Sequence, residues 1–145
     1  MKALIQRVKR ASVTIDGKLY SSINHGMLIL LGVAKGDEKH NAELLAEKLL
    51  KLRIFEDENG KMNKSLIDVN GEMLVVSQFT LCGDCKKGTR PGFDNAAPPD
   101  IANELYEYFV MQIKEAGIRC QTGKFAAMMD VELVNDGPVT FMVEK

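Results

Sequence analysis

The sequence predicts an α+β fold of mixed α/β character, in which a strongly curved, barrel-like β-sheet is flanked by two outer helices. Three observations predict it. Short apolar or alternating runs recur over residues 3–15, at 26–34 and again near residue 140. Only two stretches, 41–53 and from Pro99 onward, carry the three- and four-residue apolar spacing of helices. Two helices are too few to cover both faces of a wide parallel sheet, which disfavours a doubly wound arrangement. With 145 residues, the expectation is a single domain over 1–145 with a sizeable core.

Residues 3–8 and 11–15 are β-favouring runs, and Asp16-Gly17 is a two-residue hairpin signal before Lys18-Leu19-Tyr20. Residues 26–34 (GMLILLGVA) are short and continuously apolar, as in a strand buried on both faces. After a polar connection over 35–40, Ala42, Leu45, Ala46, Leu49 and Leu52 form the stripe of a helix over 41–53. Glu43, Glu47, Lys48 and Lys51 lie largely off that stripe. Asp57-Glu58-Asn59-Gly60 and Asn70-Gly71 mark turns, and Leu66, Ile67 and Val69 between them read as a brief strand or a bulged edge.

Residues 72–81 (EMLVVSQFTL) read as a strand whose end turns polar. Residues 82–99 form the longest stretch without periodicity, and a loop of that length is usually functional or disordered. Pro99 and Asp100 suit a helix start; Ile101, Leu105, Tyr108, Phe109 and Ile113 give the stripe and Gly117 the end. Two last strands, 130–134 and 139–143, are separated by Asn135-Asp136-Gly137-Pro138.

The formal charge of -1, from 19 basic and 20 acidic side chains, argues against a general polycationic binder and against DNA as a partner. It is compatible with touching a few phosphates at one end of an RNA. Lys2, Arg7, Lys9 and Arg10 cluster near the start and read as a solvated face; Lys86, Lys87 and Arg90 form a second group. Cys82 and Cys85 have C-x-x-C spacing, but a structural zinc wants four ligands and a redox site wants a strand feeding a helix. Neither context is present, so reduced cytosolic thiols are expected, with no metal and no cofactor. The opening residues become polar too soon for a signal peptide, and 26–34 is far short of a membrane span. A cytoplasmic location without membrane attachment is expected.

Chemistry concentrates in two places. Ser77, Gln78, Phe79 and Thr80 lie where an apolar strand meets the long loop, a common position for binding groups. Strand alternation puts Ser77 and Phe79 on one face and Gln78 and Thr80 on the other, which by itself accounts for much of the pattern. A hydroxyl nucleophile needs an activating base, yet neither of the two histidines stands in a triad context and no G-x-S-x-G elbow occurs. Main-chain N–H groups near Phe79 and Thr80 are the alternative source of carbonyl polarisation.

The second place is Asn135-Asp136-Gly137-Pro138-Val139-Thr140: either a plain turn between strands or a rigid loop in which Gly137 allows close main-chain approach and Pro138 fixes direction. Lys86, Lys87 and Arg90 are candidate contacts for RNA phosphates. Lys124 and Phe125, after Thr122-Gly123, add a basic and a stacking group. No P-loop, dinucleotide fingerprint or H-E-x-x-H motif occurs.

Ser77-Gln78-Phe79-Thr80-Leu81 and Asn135-Asp136-Gly137-Pro138-Val139-Thr140 together resemble the two signature motifs of the D-aminoacyl-tRNA deacylase family, D-tyrosyl-tRNA deacylase type. The resemblance extends through Ile5-Gln6-Arg7-Val8, Leu52-Arg53-Ile54-Phe55-Glu56-Asp57, Arg90-Pro91 and Thr122-Gly123. It implies a homodimer in which the main chain of a cis Gly137-Pro138 peptide reaches into the partner's active site. It also implies that Ser77, Gln78, Phe79 and Thr80 lie beside the ester and that the pocket holds the amino acid and the terminal adenosine of the tRNA 3′ end. The implied reaction is hydrolysis of D-aminoacyl-tRNA, with L-aminoacyl-tRNA rejected and glycyl-tRNA admitted. Thr80 is a candidate nucleophile; positioning by main-chain groups with help from the ribose 2′-hydroxyl is favoured. Cys82 stands where the family more often has a larger, frequently aromatic residue.

Overall fold

A computed structural model describes residues 1–145. In chain order its elements are β1 (Lys2–Ile15), β2 (Lys18–Ile23), β3 (Gly26–Gly32), α1 (Lys39–Lys51), β4 (Phe55–Glu56), β5 (Met62–Lys64), β6 (Glu72–Ser77), a three-ten turn (Phe79–Cys82), α2 (Pro99–Glu115), β7 (Cys120–Thr122) and β8 (Asp130–Glu144). No helix is long and apolar enough to cross a membrane.

β1 organises the sheet. One of its edges carries β8, antiparallel from Lys2↔Glu144 to Thr14↔Asp130. Its other edge is shared, with β3 paired along 2–8 and β2 along 11–15. From β3 the sheet continues through β6 and β7 by parallel pairing. The far end curls back until the Ser21 hydroxyl of β2 donates to the Thr122 carbonyl of β7 at 2.7 Å. That contact spans the remaining gap, so the sheet is a nearly closed barrel, as the short strands and the pair of helices predict.

Side-chain alternation divides the apolar residues into two cores. On β3 and β6, Met27, Ile29, Leu31, Met73 and Val75 face outward under α1 and α2, where Leu45, Leu49, Leu105 and Phe109 cover them. Leu28, Leu74 and Val76 face inward and pack with Val8, Ala11, Val13 and Ile23 inside the barrel. β3 is therefore covered on both faces, as its unbroken apolar run requires. The parallel pair starts at a very close approach: a Cβ on Gly26 would lie 1.8 Å from the Glu72 carbonyl oxygen, so only glycine fits there.

Several boundaries differ from the sequence expectation. Helix α1 begins two residues early, where the Asn41 carboxamide accepts the Glu38 N–H at 2.8 Å. Residues 3–8 and 11–15 are one strand; Lys9 and Arg10 are exposed where its register against β8 shifts. Asp57 accepts the N–H groups of Asn59 and Lys61 at 2.9 and 3.0 Å and the Asn63 amide at 2.7 Å, turning β4 back onto β5. These bonds hold its carboxyl below the usual carboxylate range. Leu66, Ile67 and Val69 form no strand. Asp68 accepts from the Ser65 N–H and hydroxyl at 2.8 and 2.7 Å, which folds the segment into turns and drops Leu66 into the core.

Candidate active site

Strand β6 delivers Ser77 to the end of the parallel sheet opposite Leu31, and the Gln78 N–H still donates to the Leu31 carbonyl at 2.8 Å. The strand then stops. Leu81 N–H reaches back to the Gln78 carbonyl at 3.2 Å and Gly83 N–H to Thr80 at 3.0 Å, making a three-ten turn. The strand expected over 72–81 therefore ends at Ser77. Gln78 and Thr80, which alternation placed on one face, do meet: the Gln78 amide donates to the Thr80 hydroxyl oxygen, so the two side chains act as a pair. In a ladder of i→i+3 bonds the leading N–H groups have no partner inside the turn. Here those are Phe79 and Thr80. They make this turn a small electropositive end beside the sheet.

A pocket of about 540 Å³ adjoins the turn. Ser77, Gln78 and Phe79 line one side, the start of α2 (Pro99, Ala102) another, and Phe125, Met128 and Met129 a third. None of its lining residues is ionisable. The histidines lie elsewhere: His25 packs edge-on against Phe55, with ring centroids 5.2 Å apart, and His40 is exposed on α1. The polar equipment of the pocket is thus a serine hydroxyl, a carboxamide and main chain. Ala126, at φ 59°, takes the left-handed conformation that bends the 124–129 segment over it. Met128, next but one, is 92% exposed.

Gly137 and Pro138 are not a turn between two strands. Asn135 pairs with Val8 and Thr140 with Gln6, so four residues of β8 stand opposite Arg7 alone and bulge from the ladder. The Gly137-Pro138 peptide is cis, and both residues are exposed. Two side chains shape the bulge. Asn135 accepts the Val139 N–H at 2.8 Å and donates to the Thr140 hydroxyl at 2.9 Å. Arg7 donates to the Asp136 carbonyl at 3.0 Å and to the Ile54 carbonyl at 2.7 Å. Arg7 is 4% exposed, which overturns its reading as part of a solvated face. Its position was legible: with Ala3 and Ile5 it stands on the buried odd positions of β1, the face the helices cover.

Neither Gly137 nor Pro138 lines the pocket of its own chain. Lys86, Lys87 and Arg90 are exposed on the loop that follows the three-ten turn, and Asp84 pairs with Gly92 across the loop base. Phe125 lines the pocket, whereas Lys124 lies in an adjoining hollow of about 480 Å³ with Tyr20 and Thr122. Phe93 carried no periodic signal, and Met128 and Met129, which composition alone reads as soft core filling, line the pocket instead.

The C-x-x-C spacing does not form a site, because Cys82 is buried and Cys85 exposed, and all three cysteines are free thiols. Burial pushes the Cys82 thiol up and the Cys120 thiol up to about 11, so little reactive thiolate forms at either near neutrality. Brief iodoacetamide treatment of the folded protein at pH 8 is expected to label Cys85 alone, as read by peptide mass. Labelling of Cys120 at a similar rate would contradict this packing. No group of three or more His, Cys, Asp or Glu side chains is placed to share a metal ion.

Residues 4–144 match the model of the D-Tyr-tRNA(Tyr) deacylase family. The chain is 62% identical over 144 residues to the D-aminoacyl-tRNA deacylase of Geotalea daltonii, covering 99% of this chain and 96% of the relative. It is 57% identical to that of Thermosipho africanus, with 99% and 97% covered. Among solved structures, a c-Myc DNA unwinding element binding protein superposes with a TM-score of 0.95 at 44% identity over 100% of this chain and 99% of that one. A probable eukaryotic D-amino acid tRNA deacylase shares the fold, with a TM-score of 0.84 at 17% identity over 99% and 98%. With its whole length matched and both signature segments in place, the chain belongs to the D-aminoacyl-tRNA deacylase family.

Proposed function

We propose that this protein hydrolyses the ester linking a D-amino acid to the terminal ribose of tRNA, and that it discriminates by excluding the L side chain. The observation that carries the reading is a pocket that adjoins the leading N–H groups of a three-ten turn and is lined by no ionisable side chain. Such N–H groups stabilise the oxyanion that forms when water attacks the ester carbonyl, since they need no reorganisation as charge develops. The Thr80 hydroxyl already accepts a bond from Gln78 and has no base beside it, so Thr80 positions rather than attacks. In this reading the ribose 2′-hydroxyl, adjacent to the ester, assists the proton transfer.

Selectivity is assigned to Gly137 and Pro138 acting between subunits of a homodimer. Two features support this. The bulge is exposed and does not line its own pocket, so it is free to meet another chain. It also sits on β8, which pairs only with β1, leaving a 15-residue strand with one open edge and with Phe141 and Met142 exposed. Open edges of that length are normally covered. Main chain set against the substrate Cα collides with an L side chain and leaves room for its mirror image. Glycine has nothing to exclude, so glycyl-tRNA is admitted. Ser77, Gln78 and Phe79 then border the reacting ester. Phe125 borders the terminal adenosine, and Lys86, Lys87, Arg90 and Lys124 meet backbone phosphates.

The test is the initial rate on matched D-tyrosyl-tRNA and L-tyrosyl-tRNA at low enzyme concentration. Rapid release from the D form alone is expected, and equal rates would remove the chiral account. Thr80→Ala is expected to keep most of its kcat; complete loss with intact tRNA binding would make Thr80 the nucleophile.

A further inference from the structure

Two large aromatic side chains are exposed side by side at the pocket mouth. Phe79 is 54% exposed and Phe93 39%, with ring centroids 5.0 Å apart and planes inclined at 62°. Edge-to-face packing secures the pair but leaves ring surface in water, an unfavourable use of two phenylalanines unless something covers them. Phe79 also lines the pocket, so the pair adjoins the space assigned to the adenosine ester. Phe93 is held from behind, because a Cβ on Gly83 would already lie 3.1 Å from its Cε1 atom. The Asp84–Gly92 pairing closes the loop base immediately before Phe93. Residues 85–93, which include Lys86, Lys87 and Arg90, hold three basic side chains and no acidic one. The nearest carboxylate N-terminal to that run, Asp84, is occupied by the Lys86 N–H at 2.9 Å.

Aromatic faces beside a short basic run are the equipment for holding a single-stranded nucleotide, the ring stacking the base and the cations meeting phosphate. We propose that Phe93, supported by Phe79, stacks the base of the nucleotide that precedes the esterified adenosine. Lys86, Lys87 and Arg90 meet the phosphates on its 5′ side. The inference rests on the deacylase reading above and adds a second binding position to it. Stacking tolerates any base, so the site recognises the unpaired state of the strand more than its sequence.

The experiment compares three D-tyrosyl esters: of adenosine, of the trinucleotide CCA and of intact tRNA. Phe93→Ala is expected to raise KM roughly ten-fold on the trinucleotide and on tRNA, with kcat little changed, and to leave the adenosine ester unaffected. Phe93→Leu, which keeps apolar bulk behind the loop but has no ring, is expected to behave like the alanine variant. Phe93→Tyr is expected to restore wild-type KM. Equal losses on all three esters, or no loss on any, would overturn the stacking site while leaving the hydrolase reading intact. Failure of the wild-type protein to cleave any ester would instead remove the reading on which the site rests.

Discussion

Arg7→Ala is expected to lower the unfolding midpoint by on the order of 10 °C and to cost most of the activity. The guanidinium is held between two carbonyl oxygens, Ile54 at 2.7 Å and Asp136 at 3.0 Å, with the carboxylates of Glu56 and Asp136 at 3.6 and 3.5 Å. Alanine leaves both carbonyls short of a donor in a space water enters poorly. Removing one partner of a buried charge-assisted network typically costs about 3–5 kcal/mol. In a chain of this size each kcal/mol moves the midpoint by about 2–4 °C. Lysine does not substitute, because one ammonium cannot present the fork that spans Ile54 and Asp136. Thermal denaturation followed by circular dichroism checks the expectation. A midpoint within a degree or two of wild type would show that Arg7 does not hold the bulge.

Gly137→Ala is expected to reduce hydrolysis of D-tyrosyl-tRNA by about a hundred-fold, with a smaller loss of stability. Gly137 has φ 132°, a conformation L side chains rarely adopt. A Cβ there would lie 2.7 Å from Val139 Cγ2 and 3.1 Å from an Arg7 guanidinium nitrogen. Strain of this kind costs roughly 1–3 kcal/mol and is relieved by moving the bulge. Displacement of about 1 Å at a group that borders a reacting centre is enough for a hundred-fold loss. The comparison to make is the D- and L-tyrosyl-tRNA rates of the variant beside its unfolding midpoint. Full D-selective activity in a stably folded variant would exclude Gly137 from the selectivity surface.

Much of this architecture is legible in the residues because burial imposes period. The helices declare themselves through Leu45 and Leu49 and through Leu105, Phe109 and Ile113, and β3 through its unbroken apolar run. What stays hidden is either too short to have a period or aperiodic in principle. β7 is three residues long, and the three-ten turn at Phe79 is four, so neither accumulates a pattern. The bulge at Gly137 is visible only as a break, because the pairing that makes it a bulge lies more than a hundred residues away in β1. Arg7 is misread for a different reason: composition places arginine on the surface, and only its parity with Ala3 and Ile5 places it inside. At the site, the two motifs can be located from sequence, but the Phe79–Phe93 contact cannot, since it depends on how an aperiodic loop closes on itself.

The pairing of β1 with β8 also sets an order of events during synthesis. β3 and β2 emerge soon after β1 and satisfy one of its edges, whereas β8 follows only after roughly a hundred further residues. At about 5–20 residues per second, the nascent chain presents the other edge of β1 unpaired for on the order of ten seconds. Lys9 and Arg10, exposed on that strand, place like charges where a second unfinished chain would have to align, which disfavours edge-to-edge association on the same messenger. The Gly137–Pro138 bulge, built on that last pairing, is then among the final features to form, so an incomplete chain lacks the surface to which selectivity is assigned under the proposed function.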